Sequence, residues 1–317
     1  MTAVEVEGLR KSYGEVVAVD GVDFTVARGE AFGFLGPNGA GKSTTIKILC
    51  TLASADAGTA RVAGFDVRTQ RDDVRRHIGL VFQDTTLDGY LTAEQNLRFH
   101  AELYGMPRQS VQPRMRQVLE MVGLWERRGS KVLTFSGGMK RRLEIARGLM
   151  HSPRVLFLDE PTVGLDPQTR NSIWEYIAQL REQEDITIFL TTHYMDEAEH
   201  CDRIAIMDVG KLVALDTPAA LKASVGHDRV TIRTADDDLA AQALPDAVRT
   251  ADGIVISTED GASYLPRLFA TLDVPILSVS VRRPSLDDVF LAYTGRTIRD
   301  SEQAAGMPAF ISAMVRR

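Results

Sequence analysis

Cysteine is scarce in this sequence, and long apolar runs are missing from it. The 317 residues include two cysteines, Cys50 and Cys201, which are too few for a disulfide framework and fit a reducing cytosol. No stretch approaches the roughly 18 consecutive apolar residues that a membrane helix needs. We therefore expect neither a disulfide-stabilised fold nor a membrane-spanning segment in this sequence.

An excess of positive charge is also missing. The sequence has 37 lysines and arginines against 43 aspartates and glutamates, which gives a formal net charge of −6. Proteins that bind the nucleic acid backbone need basic surfaces that displace counterions from the phosphates. We therefore expect no nucleic acid partner. The length exceeds that of one ordinary hydrophobic core, so two domains are predicted.

The first two thirds of the sequence predict an α/β fold. Short alternating segments around Val4 to Leu9, Val16 to Val19 and Val22 to Val26, separated by glycines, predict an antiparallel β layer. Continuous apolar runs separated by helical stretches then predict a parallel sheet core that is buried on both faces. These runs are Ala31 to Leu35, Ile78 to Phe82, Val155 to Leu158, Ile186 to Leu190 and Ile204 to Met207.

The segment after the second of these strands predicts a mainly helical subdomain at about residues 84–152. Thr92 and Gln95 have the spacing of a capping box, in which both side chains satisfy backbone groups at the start of a helix. That helix is expected to continue towards Leu103. The domain that contains this segment is expected to span residues 1–221.

A different pattern begins after about residue 221. The order strand, helix, strand, strand, helix, strand predicts a small α+β domain of the ferredoxin-like type at residues 222–296, with a tight turn at Asp252 and Gly253. The last residues, 297–317, are expected to form a tail. The predicted strands are Val230 to Arg233, Ala247 to Thr250, Ile254 to Ser257 and Ile276 to Val281, and the predicted helices are Asp238 to Leu244 and Ala262 to Leu272.

A glycine-rich segment, the phosphate loop, follows the first apolar run and precedes a helical stretch. It fits the pattern G-x-x-x-x-G-K-[ST], in which glycines let successive backbone N–H groups point at phosphate oxygens and the following helix adds its positive end. We expect Lys42 to reach the β and γ phosphates and Ser43 to ligate Mg²⁺. The expected nucleotide-binding residues are Gly36, Pro37, Asn38, Gly39, Ala40, Gly41, Lys42, Ser43 and Thr44.

Two adjacent acids, Asp159 and Glu160, end the apolar run that begins at Val155. Phosphoryl transfer uses a metal-binding acid near the phosphate loop and a group that orients the attacking water. We expect Asp159 to hold Mg²⁺, directly or through water, and Glu160 to orient and polarise the water. The alternative is a solvated turn without a catalytic role, which the presence of a phosphate loop disfavours.

A more specific resemblance begins at Ser136, Gly137 and Gly138, which precede a helical stretch. The serine can cap that helix, and the glycines let a γ-phosphate approach backbone N–H groups. The segment resembles the signature motif of ABC ATPases and lies upstream of Asp159, as in that family. The resemblance implies an ABC-type P-loop NTPase fold that binds and hydrolyses ATP.

Two residues of this segment depart from the commonest form of the signature motif. Phe135 stands where leucine is usual, and Met139 stands where glutamine is usual. The three residues that meet the phosphate in the family are kept. The departures therefore affect the local contacts at the edges of the motif and leave the expected catalysis in place.

The resemblance to ABC ATPases assigns roles to four further residues. Tyr13 matches the aromatic residue that stacks on adenine, and Gln83 matches the Q-loop glutamine that senses Mg²⁺ and the attacking water. Asp166 matches the D-loop aspartate that crosses to the opposite subunit, although Gly164 stands where alanine is more usual. His193 matches the switch histidine that bonds the γ-phosphate. The implied catalytic residues are Lys42, Gln83, Glu160 and His193, and the implied metal contacts are Ser43, Gln83 and Asp159.

The resemblance also implies a dimer. In the family, ATP lies between the phosphate loop of one subunit and the signature segment of the other, so two copies complete two sites. This sequence carries the full set of motifs, which favours a homodimer with two competent sites over a pair with a degenerate partner. Hydrolysis would loosen the dimer and act on whatever is docked on the helical subdomain, near Gln83 to Glu102.

The segment from Arg282 to Leu291 resembles the ending of ATP-binding subunits of the daunorubicin-resistance type, a family that exports drugs or lipids. The resemblance implies a Mg²⁺-dependent ATPase at the cytoplasmic face of the plasma membrane that drives a separately encoded membrane permease. Because no pore-forming segment is expected in this chain, the transported compound would pass through the permease.

Four other functions agree less well with the sequence. A soluble ABC factor that acts on ribosomes would carry two cassettes, and a DNA-repair ABC ATPase would have a long coiled coil between Ser43 and Ser136. A module that binds ATP without hydrolysing it is opposed by Glu160 and His193. An importer ATPase shares every cassette motif, although its accessory domain is more often a β-barrel. The importer is the alternative that the sequence leaves open.

Overall fold

The described residues of the computed structural model are 1–244, 247–250, 253–272 and 274–295. They form two compact units that divide after Thr217. Asp252, at the predicted tight turn, and the predicted tail of residues 297–317 lie outside the described residues. Within the described ranges, no helix is both long and apolar enough to cross a membrane.

Helices separate most of the apolar strands of the first unit. Apolar runs form strands because both of their faces are buried, and the intervening stretches form helices that cover the sheet. The strands are β1 (Thr2–Tyr13), β2 (Val16–Ala27), β3 (Ala31–Leu35), β4 (Ala57–Val62), β5 (Phe65–Asp66), β6 (Ile78–Val81), β7 (Val155–Asp159), β8 (Thr187–Thr192), β9 (Arg203–Asp208) and β10 (Lys211–Asp216). The helices are α1 (Lys42–Leu49), α2 (Arg71–His77), α3 (Ala93–Leu103), α4 (Arg108–Met121), α5 (Gly137–Leu149), α6 (Pro167–Gln183) and α7 (Met195–Ala198).

The central sheet has the strand order β10-β9-β3-β8-β7-β6. Its strands are parallel except for β10, which pairs antiparallel with β9. Every residue of β3, β7 and β8 is buried, as expected for strands covered on both faces. Because the carboxyl ends of parallel strands meet at one edge, the segments that begin at Gly36, Phe82, Glu160 and His193 all start there.

The antiparallel layer has the strand order β2-β1-β4-β5. The layer is present as expected, but the prediction of three short strands is wrong, because β1 and β2 each run for 12 residues. Leu9 pairs with Val22 and Arg10 pairs with Asp20, which leaves Gly21 as an extra residue with a φ of 69°. A glycine in this conformation forms a bulge within a strand, so Gly21 does not end it.

The segment between β6 and β7 contains α3, α4 and α5. The predicted capping box at the start of α3 is confirmed: Thr92 Oγ1 accepts a hydrogen bond from the Gln95 N–H at 3.1 Å, and Gln95 Oε1 accepts one from the Thr92 N–H at 2.8 Å. Two short 3₁₀ turns, Trp125–Arg127 and Val132–Thr134, precede α5. The extent of a helical subdomain at about residues 84–152 stays a prediction.

The second unit is a four-stranded antiparallel sheet with helices. The strand order is β12-β13-β11-β14, and the predicted succession of strands and helices is present. The apolar core lies between this sheet and two of the helices. The elements are α8 (Pro218–Ser224), β11 (Asp228–Thr234), α9 (Asp237–Ala243), β12 (Ala247–Thr250), β13 (Gly253–Thr258), α10 (Gly261–Thr271), β14 (Ile276–Arg282) and α11 (Leu286–Thr294).

Candidate active site

The phosphate loop connects β3 to α1 at the edge where the parallel strands end. Gly39 and Gly41 have φ angles of 82° and 108°, which residues with a side chain rarely adopt. A Cβ atom at Gly36 would lie 2.3 Å from a backbone carbonyl oxygen, and one at Gly41 would lie 2.2 Å from another. The backbone geometry of the loop therefore requires glycine at these positions.

Lys42 is the first residue of α1, and its side chain is only 4% exposed. Its Nζ donates hydrogen bonds to the carbonyl oxygens of Gly36 at 2.7 Å and Pro37 at 3.1 Å, and it lies 3.5 Å from Glu160 Oε1. A buried ammonium group is costly unless it is paired and hydrogen-bonded. These partners therefore hold the positive charge of Lys42 inside the phosphate loop.

Ser43 and Asp159 bring two oxygen atoms together beside the loop. Ser43 Oγ donates a hydrogen bond to Asp159 Oδ1 at 3.1 Å, and Thr191 Oγ1 donates to the same oxygen at 2.6 Å. Asp159 and Thr191 are direct neighbours in the register of β7 and β8, so the sheet aligns them. A hydroxyl oxygen and a carboxylate oxygen are hard ligands of the kind that Mg²⁺ takes. The donor set at this position fits the predicted metal.

Glu160 lies directly after β7 in an unusual backbone conformation. Its φ is 47°, in the left-handed region where a residue with a side chain is strained. Its N–H donates to Thr191 Oγ1 at 3.0 Å, which helps to hold the turn. Its carboxylate Oε1 lies 3.3 Å from His193 Nδ1 and 3.5 Å from Lys42 Nζ. The predicted base, switch histidine and lysine are thus in direct contact.

The surroundings of Glu160 determine its ionisation. Burial opposes the charged form, but the hydrogen bond with His193 and the nearby charge of Lys42 outweigh burial and lower the pKa of Glu160. The carboxylate is therefore ionised at neutral pH. A carboxylate of lowered pKa is a weak proton acceptor, although it still accepts hydrogen bonds from water. The lowered pKa of Glu160 agrees with the orienting part of the role predicted for this residue.

Gln83 and Tyr13 lie on the surface. β6 ends at Val81, one residue earlier than predicted, and Gln83 is exposed in the loop that follows. Val81 pairs with Leu158 in β7. Gln83 comes two residues after Val81, and Glu160 comes two residues after Leu158. Tyr13 ends β1 with its side chain 51% exposed. In the described part of the chain, no hydrogen bond joins Gln83 or Tyr13 to the phosphate loop, and their roles stay predictions.

The signature side of the site, defined here as Ser136, Gly137, Gly138 and Asp166, is formed by the starts of α5 and α6. Ser136 caps α5, as predicted: its Oγ accepts a hydrogen bond from the backbone N–H three residues later at 3.3 Å. A Cβ atom at Gly138 would lie 2.3 Å from Thr169 Cγ2. Glycine is therefore required at position 138 for α5 to pack against α6.

Asp166 is the N-cap of α6. Its carboxylate accepts hydrogen bonds from the Thr169 N–H at 3.0 Å and from Thr169 Oγ1 at 2.6 Å, and these bonds lower the pKa of Asp166. Ser136, Gly137 and Asp166 are all exposed. Lys42, Ser43, Asp159, Glu160 and His193 are defined here as the phosphate-binding side, whereas these hydrogen bonds of the signature side lie within the starts of α5 and α6.

Arg141 links the two sides, although the sequence motifs do not single it out. Its buried guanidinium group donates hydrogen bonds to the carbonyl oxygens of Phe82, of Asp159 at 3.1 Å and of Glu160 at 3.2 Å. It also lies 3.2 Å from the Glu144 carboxylate, and burial lowers the pKa of Arg141. The helix that starts with the signature segment is thereby tied to the turn that carries Glu160. The sequence signal that could have identified Arg141 is its helical spacing from Glu144, with which it forms a buried pair.

Glu197 is a second residue that sequence reasoning missed. Its carboxylate, which is 1% exposed, accepts hydrogen bonds from Thr162 Oγ1 and from Thr192 Oγ1, the latter at 2.6 Å. Arg170 Nε lies 3.8 Å away. Burial raises the pKa of Glu197. Glu197 thereby connects the turn after β7 to the end of β8. Glu160 lies in the first of these segments, and His193 directly follows the second.

Comparisons with known proteins agree with these motifs. A family model described as "ABC transporter" matches residues 19–163, and one described as "ATP-binding protein DrrA1-3-like, C-terminal domain" matches residues 217–294. The linearmycin resistance ATP-binding protein LnrL of Bacillus subtilis is 39% identical over 94% of this chain and 100% of its own length. The chain belongs to the ABC transporter ATP-binding family. This ABC protein also carries the DrrA-like C-terminal domain.

Further relatives and solved structures support the assignment. The daunorubicin/doxorubicin resistance ATP-binding protein DrrA of Streptomyces peucetius is 40% identical over 96% of this ABC protein and 96% of its own length. The structure of cbiO1 from Clostridium perfringens, part of an ABC transporter complex, has a TM-score of 0.66 and 29% identity, covering 70% of this chain and 91% of that chain. The structure of a dimeric ATP-binding cassette bound to ADP and Pi has a TM-score of 0.61 and 28% identity. The match covers 68% of this chain and 98% of that chain.

These findings confirm the predicted fold class and the prediction that the chain is an ATP-binding subunit with ATPase activity. ABC ATPases dimerise, as in the post-hydrolysis structure, and act with membrane permeases. The names of the relatives concern resistance and export, so the importer alternative is not favoured.

Proposed function

We propose that this ABC ATPase works as a homodimer with two complete sites, uses Mg²⁺, and drives export of a drug or lipid-like compound through a separately encoded permease. The proposal places it at the cytoplasmic face of the plasma membrane, attached through that permease. The observation that carries the proposal is the direct contact of Lys42, Glu160 and His193 at the mouth of a glycine loop.

In the proposed reaction, the phosphate loop and the start of α1, from Gly36 to Thr44, surround the phosphates of ATP with backbone N–H groups. Lys42 exchanges its present contacts with loop carbonyls for contacts with the β and γ phosphates. Mg²⁺, held by Ser43 and Asp159 with help from Gln83, would neutralise charge on the phosphates. Tyr13 stacks on the adenine ring, which suits its exposed position.

The remaining residues act on the attacking water and on the γ-phosphate. Glu160 accepts a hydrogen bond from the water and orients it in line with the γ-phosphate. His193 keeps the Glu160 carboxylate in position through Nδ1 and, with both ring nitrogens protonated, donates a hydrogen bond from Nε2 to the γ-phosphate as charge develops there. Arg141 supports both steps because it fixes the backbone on either side of Glu160.

The signature side serves the nucleotide of the second subunit in this proposal. Ser136 and Gly137 present a capped helix start at the surface, with Gly138 buried behind them, and Asp166 lies exposed at the start of the neighbouring helix. Helix starts attract phosphate because their N–H groups and dipoles point outward. ATP bridges two copies, and its hydrolysis removes the bridge.

Export is supported by the relatives' names, which include linearmycin, daunorubicin and doxorubicin resistance and Nod factor export. Purification of the native complex from membranes tests this part of the proposal. We expect an integral membrane protein to accompany the chain and phosphate release to require Mg²⁺ in addition to ATP. Recovery of ribosomes or DNA in place of a membrane protein, or phosphate release that is undiminished in a chelator, would contradict the proposal.

A further inference from the structure

The second unit contains a cavity of about 200 Å³ that the ATPase reaction does not use. Arg229, Arg282 and Arg283 line it together with Ser257, and among its described lining residues only Asp288 is acidic. The chain as a whole is acidic, with a formal net charge of −6. The cavity is therefore a local concentration of positive charge on an acidic protein.

Two of these arginines face each other across neighbouring strands. Arg229 in β11 is the direct partner of Arg282 in β14 and of Ser257 in β13. Val230 and Ile232 belong to the apolar core, and side chains alternate along a strand, so Arg229 lies on the opposite face. Like charges directly opposite each other destabilise a sheet. A bound anion between the strands would remove this cost.

Asp288 neutralises the cluster only in part. Its carboxylate accepts a hydrogen bond from Arg282 Nη2 at 3.0 Å, and it also closes the capping box of α11, where it accepts hydrogen bonds from the Ser285 N–H at 2.9 Å and the Ser285 hydroxyl at 2.8 Å. Arg283 lies 3.6 Å from a different acid, Asp228. Three arginines with two carboxylates, Asp288 in the lining and Asp228 beside Arg283, give the cluster a formal charge of three minus two, or +1.

We propose that this cavity is a second anion site, in which the accessory unit binds a phosphate group. A phosphate monoester carries about −1.5 to −2 charges at neutral pH, opposite in sign to the excess positive charge of the cluster. The planar guanidinium group bonds two phosphate oxygens at once. A cavity of about 200 Å³ accommodates a phosphate group and is smaller than the roughly 300–1,000 Å³ that sites for drug-sized ligands occupy. Its source is a soluble phosphorylated metabolite or a phospholipid headgroup.

Calorimetric titration with inorganic phosphate tests the site in the full chain, at constant ionic strength and with the nucleotide site filled by Mg²⁺ and a non-hydrolysable ATP analogue. The Arg229→Gln/Arg282→Gln variant is compared with Arg233→Gln/Arg267→Gln, which removes the same charge from the same unit outside the cavity. We expect saturable binding that weakens roughly tenfold or more in the cavity variant and is unchanged in the control.

Flotation with vesicles distinguishes the two sources. Binding to phosphatidylcholine vesicles that contain phosphatidic acid, but not to phosphatidylcholine alone, with dependence on Arg229 and Arg282, would identify a headgroup. Phosphate binding without vesicle binding would identify a soluble ligand. Equal losses in the cavity and control variants, or saturable binding in neither assay, would overturn the proposal.

Ser257→Asp gives a second test that keeps every arginine. The new carboxylate would lie opposite Arg229 and replace the anion, so we expect a higher unfolding midpoint and lost phosphate binding. An aspartate opposite Arg229 gains an ion pair whether or not an anion binds there, so phosphate binding is the deciding measurement. A lower midpoint together with retained phosphate binding would contradict the proposal even if the arginine variant did not fold.

Discussion

On the phosphate-binding side, Lys42, Asp159 and Glu160 are 4%, 8% and 5% exposed, and hydrogen bonds and ion pairs join them to the rest of that side. On the signature side, Ser136, Gly137 and Asp166 are exposed, and their contacts serve to start helices. One half of the site is organised inside a single chain, whereas the other half consists of exposed, capped helix starts. This difference is what a site completed by two copies requires.

A change at Glu160 is expected to have the largest effect on the phosphate-binding side. Glu160→Gln keeps the shape of the side chain but removes the charge that is proposed to orient the water, so we expect hydrolysis to fall roughly 10²- to 10⁴-fold. ATP binding should be retained, because Lys42 and the loop are unchanged. Phosphate release and nucleotide titration measure the two effects. Glu175→Gln, an exposed change on α6, is the control, and near-normal turnover in Glu160→Gln would refute the assigned role.

Arg141 tests whether the two sides depend on each other. Arg141→Met leaves the carbonyls of Asp159 and Glu160 without their donor and Glu144 without its buried partner, for which we expect a loss of about 3–5 kcal/mol in the free energy of unfolding. Arg116→Met removes an exposed ion pair with Glu120 and should cost below about 1 kcal/mol. Urea unfolding measures both variants, and similar costs would show that Arg141 does not link the sides.

Lys42 tests the phosphate-binding side alone. Lys42→Ala removes the charged donor expected at the β and γ phosphates, at a cost of about 1.5–3 kcal/mol in ATP affinity. The loss should be larger for ATP than for AMP, because only ATP carries the γ-phosphate. Equilibrium titration of both nucleotides checks this, with the exposed Lys47→Ala as the matched control. An equal loss for ATP and AMP would place Lys42 outside the phosphate contacts.

Ser136 gives the smallest expected change in stability. Ser136→Ala removes the N-cap of α5, which typically costs about 1 kcal/mol of unfolding free energy. Ser136→Asp keeps a capping oxygen and should restore the stability, yet it places a negative charge where a γ-phosphate from the partner is expected. Chemical unfolding and ATPase assays together separate the two roles. If Ser136→Asp recovered both stability and hydrolysis, the signature side would have only a structural role.

Short motifs made much of this molecule predictable. The phosphate loop, the two acids at the end of β7, and the caps at Ser136 and Thr92 depend on spacing within a few residues, and the structure places each beside the expected element. Family membership, fold class and ATPase function are confirmed by the comparisons. The individual roles of the site residues stay predictions until variants are measured.

Contacts between distant parts of the chain were not predictable in the same way. Arg141 bonds Phe82, 59 residues away, and Glu197 bonds Thr162, 35 residues away. Such contacts depend on which strands lie next to each other, and a local motif contains no such information. The prediction that a strand ends at Gly21 was wrong for a related reason. A glycine that ends a strand and a glycine that forms a bulge have the same local pattern. Only the pairing with β1 distinguishes them.

Sedimentation of the Glu160→Gln protein tests the two-copy site most directly. With Mg²⁺ and ATP we predict a dimer that disappears when nucleotide is withheld. When Ser136→Asp is added, the protein should still bind ATP but remain a monomer, because the partner's phosphate meets a negative charge. A dimer of equal stability in the double variant would contradict the account, and so would a Glu160→Gln protein that binds ATP and stays monomeric.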